Sequence, residues 1–195
     1  IAGVVRGMLT WRDNSQNQLL TFGTHDSLFV MEVDNSVADI TPTGFTAGRV
    51  DASVNSGYGG GFYGNETYGS PRQDSTQLLD PTTWALDTWG EYLVGCTPDD
   101  GKLYEWQLDT ATPAAVIANA PTNNTSLVVT EERFLFALGA GNDPRKVQWC
   151  DRENNTSWTP ATTNEAGDII LQTNGDIVSG VRTRGETVIL TTSDC

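Results

Sequence analysis

The 195-residue chain is poor in positive charge, histidine, lysine and methionine. Its 11 Lys and Arg face 25 Asp and Glu, a formal net charge of −14. A surface that acidic repels nucleic acid and anionic membrane rather than gripping them. The one histidine, His25, lies in Gly23-Thr24-His25-Asp26, a polar stretch expected to be a hairpin turn. A catalytic triad or multi-histidine metal site cannot be built from this chain alone. Cys96, Cys150 and Cys195 are odd in number, widely spaced and without a CxxC pair. They fit neither a disulfide framework nor a zinc site, and buried free thiols are expected. No run of 18 or more apolar residues occurs, so no segment is expected to cross a bilayer, and no basic-then-apolar opening of the signal-peptide kind is visible. A P-loop, a GxGxxG after a strand, and a spaced pair of carboxylates suited to acid–base work are all missing too. No cofactor or metal is therefore expected.

What is present suits pleated sheets. The chain holds 26 Thr, 13 Asn and 20 Gly, and 37% of its residues are hydrophobic. Thr, aromatic and β-branched residues favour strands, while Asn and Gly favour turns. No stretch of 11 to 18 residues repeats apolar positions at helical spacing. Ala111 to Ala120 is Ala-rich, but Pro113 and Pro121 limit it to one short helical turn. The chain reads as all-β.

Short apolar runs recur in pairs. Leu19 to Gly23 is followed by Leu28 to Glu32, Tyr92 to Cys96 by Leu103 to Gln107, and Phe134 to Leu138 by Lys146 to Trp149. Polar turns precede each pair, at Asn14 to Gln18, Asp87 to Glu91 and Thr130 to Arg133, and a fourth copy starts at Arg182 to Glu186 and runs into Thr187 to Leu190. Leu93 to Leu135 is 42 residues and Leu135 to Ile189 is 54. Leu20 to Leu93 is 73, but that interval holds an insert at about 43–82 with the Gly- and Tyr-rich loop Ser56 to Gly64. A period of roughly 40–50 residues built of short antiparallel strands marks propeller blades. The expectation is a partial β-propeller domain over 1–195, about three and a half blades, and a fragment of a larger protein. A β-sandwich with coincidental spacing is the competing architecture.

Several motifs have structural explanations. Asp99-Asp100-Gly101-Lys102 and Thr173-Asn174-Gly175-Asp176 read as hairpin turns rather than calcium loops. Asp151 to Trp158 has the length and terminal Trp of the Asp-box turn of sialidase-like propellers, with the central Gly and Asp replaced. The Asn-x-Ser/Thr matches at Asn65, Asn123, Asn124, Asn154 and Asn155 are expected by chance in so Asn- and Thr-rich a chain. Tyr58, Phe62, Tyr63 and Tyr68, spaced by glycines on the insert, are the candidate interaction residues, because aromatics on a pliable loop serve as adhesive contacts. The alternative is a surface loop with its rings folded onto its own scaffold.

Extended stretches carry a resemblance. Asp39 to Phe45, Thr83 to Val94, Asp100 to Trp106, Thr130 to Gly139 and Arg145 to Asp151 are similar to a family of bacteriophage structural proteins, the tail nozzle or hub proteins (tail tubular protein B-like). The resemblance implies a non-enzymatic virion tail protein built around a β-propeller. It implies a ring of copies of itself, commonly six-fold, that contacts the tail adaptor and fibre proteins. DNA would be present only in transit through the channel, without membrane anchoring. An acidic channel wall would let a polyanion slide without long-lived phosphate contacts, provided the acids face the lumen. The rival readings are a carbohydrate-binding propeller, with the aromatic loop stacking on sugars, and a propeller glycosidase.

Overall fold

The computed structural model describes residues 3–50 and 82–194. Their strands follow one another in chain order: β1 (Gly7–Arg12), β2 (Gln18–Gly23), β3 (Leu28–Met31), β4 (Val37–Asp39), β5 (Ala85–Trp89), β6 (Tyr92–Cys96), β7 (Leu103–Trp106), β8 (Ala115–Val116), β9 (Ser126–Val129), β10 (Leu135–Leu138), β11 (Lys146–Trp149), β12 (Gly167–Ile170), β13 (Ile177–Arg182) and β14 (Thr187–Thr191). Three four-stranded sheets, β1–β4, β5–β8 and β9–β12, are antiparallel meanders, and β13–β14 is a two-stranded hairpin. The fold is all-β, in propeller-like blades of short antiparallel strands.

Alternation of side chains sets each sheet's two faces. On β2, Leu19 and Thr21 point one way and Leu20 and Phe22 the other, and the partners opposite them on β1 and β3 follow suit. Successive sheets approach most closely through their first strands, β1 to β5, β5 to β9 and β9 to β13. That is how blades converge in a radial stack. Three apolar clusters fill the gaps. Trp11, Leu28 and Val30 of the first sheet meet Leu93, Tyr104 and Trp106 of the second. Trp89, Val94 and Leu103 of the second meet Leu127, Val129 and Leu135 of the third. Val128, Leu138 and Val147 of the third meet Ile177 and Ile189 of the fourth. A fully buried Leu or Val contributes about 1.5–3 kcal/mol, so these seams carry the fold.

Polar groups tie the same seams. The Trp11 indole donates to the Glu91 carbonyl at 2.9 Å, and the Val129 amide donates to the Asp87 carboxylate at 2.8 Å. The Asn155 amide donates to the Glu105 carboxylate, and the Ile177 amide donates to the Pro144 carbonyl at 2.8 Å.

The strand pairs expected from the apolar runs are β2–β3, β6–β7 and β10–β11, and Thr187 to Leu190 lies in β14. Four local expectations need correcting. Asp87 and Thr88 belong to strand β5, because Trp89 behind them is buried and extends the strand to a two-residue turn. Thr173 to Asp176 is no hairpin turn; it links β12 of one sheet to β13 of the next. Ala111 to Ala120 forms no helical turn, and Ala115–Val116 pairs as the edge strand β8. The one helical element among the described residues is a 3₁₀ turn, Ala140–Asn142.

Asp151 to Trp158 is a closed turn between β11 and β12. The Asp151 amide donates to the Ser157 carbonyl at 2.8 Å, and the Trp158 indole donates to the Asn155 carbonyl at 2.6 Å. Cys96 and Cys150 are buried free thiols, and Cys195 lies outside the described residues.

Candidate functional site

Tyr58, Phe62, Tyr63 and Tyr68 lie outside the described residues. What the structure describes is the scaffold that meets the chain on both sides of them, and it is built around the turn joining β6 to β7.

That turn reverses at Gly101, whose φ of +67° suits glycine. It carries two adjacent carboxylates that point to different partners. Asp100 is 1% exposed at its side chain and accepts from the Thr46 amide at 3.1 Å and from Lys102 Nζ at 2.9 Å. The Tyr104 hydroxyl donates to its other oxygen. Lys102 Nζ also donates to the Gly44 carbonyl at 3.3 Å. A buried carboxylate is tolerated only when paired and fully hydrogen-bonded, and Asp100 meets that condition.

Asp99 holds the far side. One oxygen pairs with Arg49 Nη1 at 2.9 Å, and the other accepts from the Thr82 hydroxyl. The Arg49 amide in turn donates to Thr82 Oγ1 at 2.8 Å. Residues 44–49 and residue 82 are therefore fastened to one turn and to each other. Aromatic packing completes the clamp. Phe45 stacks on Trp84 with ring centroids 5.2 Å apart and meets Tyr104 edge-on at 6.1 Å. The Trp84 indole donates to the Thr24 carbonyl at 2.7 Å, which joins the clamp to the first sheet.

The electrostatics follow from the bonds. Burial pushes the Asp100 carboxyl up, but the hydrogen bonds from Tyr104, Thr46 and Lys102 outweigh it and leave the group below the ordinary carboxylate value. Burial, reinforced by the Asp100 bond and charge, pushes the Tyr104 hydroxyl well up. The pair is fixed as carboxylate and phenol, and its polar capacity is spent on holding the chain. Such a site positions a segment; it does not transfer protons.

A second concavity, of about 480 Å³, lies between β7–β8 and the Asp151–Trp158 turn. Glu105, Gln107, Asp109, Asn155 and Thr156 line it beside Trp106. The Trp106 ring is 2% exposed and its indole donates to the Asp109 carbonyl at 3.0 Å, so its face is already covered. Among the described residues, no group of three or more His, Cys, Asp or Glu is placed to hold a metal ion.

The acids do not line the side where the sheets converge. Among the described residues, strands β1, β5, β9 and β13 carry one carboxylate, Asp87, and it is engaged by the Val129 amide. Arg12 and Arg182 sit on the same set of strands. The expected acidic channel wall is not found there, because the acids concentrate in turns, where short polar side chains satisfy exposed backbone.

Reading Asp99 to Lys102 as a turn was correct but incomplete. Its clamping role depends on Thr46, Arg49 and Thr82, which lie far away in sequence. The available local signal was Tyr104, four residues beyond Asp100, which reaches back to it. No protein-family model, curated protein or solved structure matches the chain.

Proposed function

We propose that the protein is a structural component of a bacteriophage tail, of the nozzle or hub kind, in which blade-like sheets form a rigid support for an aromatic-rich contact segment. In this reading Tyr58, Phe62, Tyr63 and Tyr68 provide contacts to neighbouring tail proteins, such as adaptor and fibre subunits. Copies of the chain assemble in a ring, and DNA meets it only in transit.

The observation that carries the reading is the Asp99–Asp100 clamp. It spends two carboxylates, one of them almost fully buried, on fixing residues 44–49 and 82 to the second sheet. Precise anchoring of both flanks supports presentation of the segment between them, since contacts from rigidly held elements lose less entropy on binding. The resemblance of Thr83 to Val94 and its companion stretches to tail nozzle proteins supports the same reading.

Immunogold labelling of phage particles carrying this gene tests it. Label at the tail is the expected result; intact and disrupted particles that both stay unlabelled overturn the proposal.

The groove beside Glu105 and Asn155 favours one alternative, a carbohydrate-binding propeller, because carboxylates and amides at a concave surface suit sugar hydroxyls. Binding on a glycan array, lost in Glu105→Ala, would replace the tail reading with that one.

A further inference from the structure

Each sheet has a forward face, toward the next sheet in chain order, and a backward face. At each of the three internal seams a forward apolar face packs on a backward apolar face. Two faces are left over, one of each kind.

The leftover backward face belongs to the first sheet. Opposite to Leu9 and Trp11, the register aligns Met8 with Phe22 and Phe29, and Leu20 with Met31 and Val37. Six apolar side chains thus share one face across four strands. Phe22 and Phe29 stack at 5.6 Å, while Met8 is 67% exposed and Val37 is 43% exposed. The leftover forward face belongs to the fourth sheet. Ile189 points into the seam with the third sheet, so Val181, Val188 and Leu190 point the other way. Val181 is 50% exposed and Leu190 is 39% exposed.

Contiguous exposed apolar faces of this kind mark contact surfaces. Their exposure also means that the two faces do not meet within one chain. We propose that they meet between chains: the forward face of the fourth sheet (Val181, Val188, Leu190) packs on the backward face of the first sheet (Met8, Leu20, Phe29, Val37) of a second copy. The contact repeats a pairing the chain already makes three times, which is what selects a second copy as the occupant. It is head-to-tail, and such contacts close into a ring when the rotation per copy allows. Two copies bring twice the four sheets of one chain, eight in all, within the range of four to eight blades seen in propellers. The contact lies within one propeller and is separate from any that arrange propellers around a tail. It rests on the sheet faces, so particles without tail label would leave it standing.

The test is light scattering on the size-fractionated chain. Wild type is expected to run as a two-copy species. Met8→Glu spoils the backward face and Leu190→Glu the forward face, so each alone should be monomeric with an unchanged circular dichroism spectrum. An equal mixture of the two should regain a two-chain species, because one intact forward face then meets one intact backward face. Val37→Glu and Val181→Glu repeat the experiment should either first variant fail to fold. Monomeric wild type at high-micromolar concentration overturns the proposal. Dissociation by Met8→Glu with none by Leu190→Glu also overturns it, since that pattern belongs to two first sheets meeting each other.

Discussion

Trp84 occupies the space beside Gly23 so closely that a Cβ on that glycine would lie 2.2 Å from the indole Cδ1. The same indole donates to the carbonyl of Thr24, the next residue, at 2.7 Å. Backbone of the first sheet and the residue entering the second are thus in direct contact, with no side chain between them. Gly23→Ala forces the ring or the strand to move, and such overpacking costs about 1–3 kcal/mol. The expected outcome is a lower urea midpoint with an unchanged slope, while Gly44→Ala, at an open turn with nothing near its Cβ position, leaves Trp84 undisturbed.

Asp100 gives the clamp a pH dependence with a defined sign. Its folded carboxyl titrates below the ordinary value of 3.8, so the stability it adds is fully present above that value and is lost as pH falls through the folded one. Chemical denaturation from pH 6 down to about pH 2 should show stability falling below roughly pH 4. Asp100→Asn should lower stability at pH 6 by about 1–3 kcal/mol, as for a buried hydrogen-bond partner removed, and should flatten the acid limb. Part of the slope remains in the variant, because hydrogen bonds from Thr24, Ser36, Thr112 and Thr173 hold Asp26, Asp34, Asp109 and Asp194 below the usual value as well.

The buried thiols should be silent. Burial pushes the Cys150 thiol up to about 11 and the Cys96 thiol up as well. The thiolate is the nucleophile, so both react with an alkylating reagent only on unfolding. In a Cys195→Ser background at pH 8, native protein should show no labelling by mass spectrometry, and denatured protein should take up two labels. A fast label on native Cys96 or Cys150 contradicts the packing described.

Asp87 links the second and third sheets through the Val129 amide at 2.8 Å. Asp87→Ala leaves that amide without its acceptor, at a cost of about 1–3 kcal/mol. Hydrogen exchange should report it locally, with Val129 losing protection by more than the amides of β2.

The parts of this fold that the sequence displayed were those whose burial depends on neighbours in sequence. Strands β2, β6 and β10 are apolar runs bounded by turns, and each stands next to a partner reached through a short connection. The first strands were harder to see. β5 contains Asp87 and Thr88, polar residues whose strand position depends on a contact from Val129 in the next sheet. The fourth strands, such as the two-residue β8, are exposed and too short for alternation to show. The Asn174-Gly175 dipeptide carried a hairpin signature but works as a crossover between sheets, a distinction set by which strand comes next. At the candidate site the turn was apparent from Asp-Asp-Gly. The burial of Asp100 was not, because Thr46 approaches from 54 residues away.

The clamp also bears on how this protein can vary. Arg49 and Thr82 are bonded to each other as well as to Asp99, so the two anchor points stay together whatever chain joins them. Closing a flexible segment between fixed ends costs only about 0.6 kcal/mol more for each doubling of its length. Segments of different size and composition can then be exchanged between positions 50 and 82 without altering the register of any sheet. The turn at Asp99–Asp100 is a socket, and natural variation or deliberate grafting has one defined place to act.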